Sequence, residues 1–165
     1  DYHGLLALKE EYYALLHKNR FPLPSANSNH IEMIYYFKRK NEYNPLIIGP
    51  YKNITPFEAA NRIASDLVII NGSLQLIGSQ EPESSVVTLR LGAEHIKGKG
   101  DFTINKFEGE AFNVAPSFLS TKLYQTRRKW RDNQDLLKYI LINEDAFRGR
   151  FPNDKKIIIV SNWDK

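Results

Sequence analysis

At 165 residues, with 42% apolar and 12% aromatic side chains, the chain has the length for one domain with a hydrophobic core and too much apolar character for disorder. The absence of cysteine excludes a disulfide framework and a thiolate metal site, and it suits a reducing compartment, so a cytoplasmic location is expected. A net charge of +4 is a mild bias toward anionic partners; the cations cluster at Lys38-Arg39-Lys40 and at Arg127-Arg128-Lys129-Arg131.

The longest apolar runs, Leu67 to Ile70 and Ile157 to Val160, are too short to span a bilayer, so no membrane partner is expected. Tyr12 to Leu16, flanked by Glu10, Glu11 and His17, does not read as a signal peptide. The chain begins at Asp1 without an initiator Met, as a processed product or a fragment does.

In chain order, Leu5, Leu8, Tyr12, Leu15 and Leu16 recur at helical intervals and predict an amphipathic helix over 4–18. Pro22 and Pro24 end it in a loop over 21–28, and a second helix is expected from Ile31 to Lys40. A short extended piece, Leu46 to Ile48, follows between Asn44-Pro45 and Gly49-Pro50. Thr55-Pro56-Phe57-Glu58 has the form of a helix start, with Thr55 as cap, Pro56 at the first position and Glu58 completing a capping box. That helix is expected to reach about Leu67, with Asn71-Gly72 as a turn and Ser73 to Ile77 extended. Residues 66–70 read equally as helix end or strand.

From Ser84 the pattern becomes sheet-like. Strands are predicted at 86–91, at 101–104 and at 107–114, joined by short connections that favour a meander. Pro116 opens a helix to about Arg131 with Phe118, Leu119, Leu123 and Trp130 inward, and another helix is expected over 134–142. The β-branched run Ile157 to Val160 predicts a strand buried on both faces, taken as the central one. One domain over 1–165 is expected, a helical extension to residue 54 and an α/β core with a mixed sheet from residue 55.

The chemistry concentrates in Gly100 to Asn113, GDFTINKFEGEAFN. Asp101, Glu108 and Glu110 on neighbouring strands supply hard oxygen ligands of the kind Mg²⁺ or Mn²⁺ takes. Glu108, Glu110 and Phe112 share one strand face by alternation. Cations for a phosphate backbone follow at once in Arg127, Arg128, Lys129 and Arg131. Each residue also has an ordinary reading: Asp101 as a turn residue, the two glutamates as a solvent face, Lys122 as a solvated helix lysine, Glu58 as a cap. Buried carboxylates, in contrast, require a metal or a cation. The four histidines, His3, His17, His30 and His95, show no metal-ligand spacing, and only His95 sits near enough in sequence to approach the acids. No P-loop, GxGxxG or GxSxG motif is present.

Helix, three strands, helix and buried strand, with Gly100-Asp101 and then Glu110-Ala111-Phe112, resembles the PD-(D/E)xK nuclease superfamily over roughly residues 55 to 161. The resemblance implies a restriction-endonuclease-like αβββαβ core and an Mg²⁺- or Mn²⁺-dependent endonuclease, with DNA as substrate and a defence or mobile-element setting. It assigns Asp101 and Glu110 to the metal and matches Glu58 to the acidic residue many members carry on the preceding helix. Two departures stand: Gly100 replaces the usual Pro, and Phe112 occupies the Lys position. Either Glu108-Gly109-Glu110 is the motif, with Glu110 in place of the lysine, or Lys122 comes in from the following helix; the second is preferred. Phe112 keeps a second class open, a non-catalytic nucleic-acid-binding or regulatory protein with a degraded site. A third is an α/β module whose basic helix binds an acidic protein, and a homodimer is compatible with each.

Overall fold

The computed structural model describes residues 1–18, 27–39, 47–92, 96, 98–149 and 152–161. Most of the 21–28 loop, Lys40 to Leu46 and His95 lie outside this set, and no account of them follows. The chain forms two compact units, Ala7–Ile63 and the combination of Asp1–Leu6 with Ala64–Lys165. The units part at Leu6–Ala7 and at Ile63–Ala64, each inside a helix.

The unit Ala7–Ile63 contains most of α1 (Tyr2–Lys18), α2 (His30–Lys38), a hairpin of β1 (Ile47–Ile48) and β2 (Tyr51–Lys52), and the first turns of α3 (Pro56–Ser79). A capping box starts α2: Glu32 N–H donates to the Asn29 side chain at 3.0 Å, and Asn29 N–H donates to the Glu32 carboxylate at 3.1 Å. At the start of α3, Glu58 N–H donates to Thr55 Oγ1 at 3.1 Å, while the Glu58 carboxylate turns to Arg62 at 2.7 Å.

The other unit carries the rest of α3, then β3 (Val87–Leu89), β4 (Phe102–Ile104), β5 (Phe107–Phe112), α4 (Leu119–Lys129) after a 3₁₀ turn, β6 (Leu137–Asn143) and β7 (Ile157–Val160). It is a mixed α/β unit with a five-stranded sheet in the order β3-β4-β5-β6-β7. The first three strands are an antiparallel meander, and β6 and β7 add in parallel. Alternation sends Tyr139, Leu141, Ile158 and Val160 into one core with Phe102, Ile104 and the α3 residues Val68, Ile69 and Leu76. Ile140, Ile142, Ile157 and Phe112 face the other way, into a core with Trp130 and Val114.

Two predicted elements are corrected. Helix α3 runs unbroken through Asn71-Gly72 to Ser79, where a turn and a strand were expected. A Cβ on Gly72 would lie 2.7 Å from a Leu141 methyl and 2.8 Å from a Val160 methyl, so the glycine admits close packing of helix on sheet. That packing outweighs its cost of about 1 kcal/mol in a helix interior. Residues 134–142, expected as a helix, hold most of β6 instead, because an apolar run buried on both faces carries no period to separate helix from strand. Strand β6 thus takes the central parallel position, and β7, buried as expected, stands at the sheet edge.

A two-carboxylate candidate site at the fork of the sheet

Strands β4 and β5 stay paired until Phe102↔Gly109 and then part. The last backbone bond before the fork runs from Asp101 N–H to Gly109 O at 2.8 Å. One step further the strand partner is gone, and Asp101 Oδ2 replaces it by accepting from Ala111 N–H at 2.8 Å. Two glycines make this approach possible. A Cβ on Gly100 would stand 2.2 Å from Gly109 O, and one on Gly109 would enter the Phe102 ring at 2.1 Å.

The two β5 glutamates are both buried, and they have different occupations. Glu108 Oε2 accepts from Gly100 N–H at 2.9 Å and from Arg90 Nη1 at 3.3 Å, and Lys99 Nζ lies 3.4 Å from Oε1. Arg90 also donates to Gly100 O at 2.7 Å. Glu108 is therefore the bracket that holds residues 99 and 100 against β5, which sets where Asp101 leaves the sheet.

Glu110 accepts two donors on a single oxygen: Lys129 Nζ at 2.6 Å and Trp130 Nε1 at 2.7 Å, both on Oε1. Among the described residues no donor reaches Oε2, and that oxygen is not sealed from solvent. Burial pushes the Glu110 carboxyl above its ordinary range. The Lys129 bond opposes this, the Asp101 charge pushes further up, and the Trp130 bond opposes again; the net direction is up. Asp101 and Glu110 thus stand within electrostatic reach of each other.

Glu108 is engaged through both oxygens by its bracket contacts, which argues against it as a ligand. Among the described residues no group of three or more His, Cys, Asp or Glu gathers to hold a metal. A pair of carboxylates with one open oxygen does not fit a structural metal cage. It does fit Mg²⁺, which is bound through one or two carboxylates and completes its shell with waters and substrate phosphates.

Lys122 is exposed on α4, and among the described residues no ion pair joins it to either acid. The lysine on Glu110 is Lys129, which also donates to Lys99 O at 2.7 Å, so it is not simply one of the exposed phosphate contacts expected of it. Lys122 lies about 10 Å further up the helix on nearly the same stripe. The α-helix begins at Leu119 after the 3₁₀ turn Pro116–Phe118, and that start sets which turn stands beside Glu110. Arg127, Arg128 and Arg131 are exposed; Arg127 lies 3.6 Å from Asp154, and Arg131 pairs with Asp132. Phe112 is buried in the core that contains Trp130. Glu58 belongs to the other unit, paired to Arg62.

Two roles were not anticipated. Arg90 reads in sequence as a strand residue, and Trp130 as a core side chain only. A buried Glu beside an inward Trp is the available signal, since a buried indole N–H seeks an acceptor.

No protein-family model matches this chain, and no curated protein and no solved structure is detectably similar to it.

Proposed function

We propose that the unit ending the chain is a metal-dependent nuclease of restriction-endonuclease-like architecture that hydrolyses nucleic-acid phosphodiesters, DNA above all. The order α3, β3, β4, β5, α4, β6 is the αβββαβ order of that architecture, with β7 as an addition. The observation that carries the reading is that Asp101 sits on the amide of Ala111, next along β5 from the buried Glu110, which carries the Lys129 ammonium.

Asp101 and Glu110 would hold the metal. Bound there, Mg²⁺ or Mn²⁺ supplies polarisation of a phosphoryl oxygen and a lowered pKa for bound water. Lys129 fills the part that Phe112 cannot: its ammonium orients an attacking water or meets negative charge developing on the phosphate. Its stem reaches from α4, so the cation can shift from Glu110 to a phosphate oxygen without disturbing the strand. Arg127, Arg128 and Arg131 offer donors to the backbone on either side, and Arg–phosphate pairing matches their fork of N–H groups. Glu108 stays with Arg90 and keeps the approach of Asp101 fixed.

The test is Mg²⁺- and Mn²⁺-dependent cleavage of labelled DNA and RNA, single- and double-stranded. Asp101→Ala is expected to abolish it, Lys129→Met to lower it on the order of 100-fold, and Lys122→Ala to leave it unchanged. A purified wild-type protein that binds nucleic acid with steep salt dependence and cuts none of these substrates is the non-catalytic binder, which Phe112 favours.

A further inference from the structure

A carboxylate oxygen has about two lone-pair directions to offer. On Glu110 both directions of Oε1 are taken, by the Lys129 ammonium and by the Trp130 indole N–H, and Oε2 is the open one. The two donors differ in kind. Lys129 is a long side chain with its charged end partly in solvent. Trp130 is 4% exposed and packed in the core with Phe112, Leu137 and Ile140, and its indole can only donate.

We infer that Trp130 is a positioning residue of the candidate metal site, because its indole N–H holds Oε1 of Glu110 and limits that glutamate to one-oxygen ligation through Oε2. The inference rests on the reading of Asp101 and Glu110 as metal ligands. It adds a specificity. Single-oxygen ligation suits the octahedral shell of Mg²⁺ or Mn²⁺, whereas Ca²⁺ favours six to eight oxygens and takes carboxylates in two-oxygen fashion. Trp130 therefore disfavours Ca²⁺. When a phosphate draws Lys129 away, Trp130 is the donor that stays, so Glu110 does not rotate into a chelating pose. Partners that orient a ligand are commonly worth 10- to 100-fold in metal affinity.

The experiment measures Mn²⁺ binding by the electron paramagnetic resonance signal of free Mn²⁺, with Ca²⁺ as competitor. Wild type, Trp130→Phe and Asp101→Asn are compared, each checked for folding by circular dichroism. Trp130→Phe is expected to weaken Mn²⁺ on the order of tenfold and to shift the Mn²⁺/Ca²⁺ preference toward Ca²⁺, an effect that a purely structural loss does not produce. A folded Trp130→Phe with unchanged affinity and unchanged preference, beside an Asp101→Asn that binds no Mn²⁺, overturns the role of Trp130 and leaves the site reading intact. Wild type that binds no Mn²⁺ overturns both. Should Trp130→Phe not fold, a Trp163→Phe protein leaves one indole for nuclear magnetic resonance. Its N–H signal is expected to move on saturation with Mg²⁺, and a signal that stays in place refutes the inference.

Discussion

Two glutamates in the sheet-bearing unit are held by the same kit, a lysine and the aromatic residue that follows it. Glu110 Oε1 accepts from Lys129 and from the indole of Trp130. Glu81, just beyond α3, accepts on Oε1 from Lys138 and from the Tyr139 hydroxyl, the latter at 2.5 Å. Their protons nevertheless move in opposite directions. At Glu81, burial pushes the carboxyl up, but the bonds from Lys138 and Tyr139 outweigh it and hold the group below the ordinary range. At Glu110 burial wins, aided by the charge of Asp101, and the group is held above it. The donors are alike; the depth of burial is not, and at Glu110 the charge of Asp101 adds to it. A glutamate whose donors outweigh burial is a fastening, and one whose donors do not stays costly to ionise.

The largest expected contrast is in cleavage. Asp101→Asn lowers Mg²⁺-dependent cleavage by at least about 100-fold, while Glu81→Gln leaves it at the wild-type rate; equal losses would erase the distinction. Next comes the lysine pair. Lys129→Met costs cleavage, whereas Lys138→Met, measured in the same assay, costs only stability, seen as a lower urea midpoint with unchanged turnover. The third contrast concerns pH. Glu81, with its folded-state pKa depressed, contributes stability present above its unfolded value of 4.5 and lost as pH falls through the folded pKa. Glu110, with its pKa raised, is fully compatible with folding only below 4.5 and costs stability as pH rises through the folded pKa. At pH 7 the urea midpoint is therefore expected to fall for Glu81→Gln and to rise for Glu110→Gln, and the Glu110→Gln gain is expected to vanish below pH 4.5. Midpoints that move in the same direction break the comparison. The smallest effect belongs to the exposed helix: Arg128→Ala should weaken nucleic-acid binding a few-fold and reduce the slope of log affinity against log salt by about 1.

Much of the sheet was legible because its signals are local. Glycine-flanked acids, the alternation of Glu108, Glu110 and Phe112, and the β-branched run of β7 can each be read without knowing the neighbours. What escaped depends on neighbours. Gly72 looks like a turn until Leu141 and Val160 are known to lie against it. Strand β6 looks like a helix because burial on both faces removes its period. At the candidate site, the sequence pointed to α4 as the source of a cation and favoured Lys122; the lysine that meets Glu110 is Lys129, two turns on, and the turn depends on where the helix starts. The Glu81 fastening was illegible for a further reason. The β5–β6 register shifts at Glu108/Gly109, opposite Leu137 and Tyr139, and this bulge at Lys138 brings consecutive residues to the same glutamate.

Asp101 does for a strand what an N-cap does for a helix: its side chain answers an amide that the regular pattern abandons. Its Oδ2 is committed to the Ala111 amide, and a cation drawn to the same carboxylate would compete for its electron density. Hydrogen exchange at that single amide is therefore expected to speed up if a metal loads the fork, and the end of β5 would then act as a gauge of occupancy.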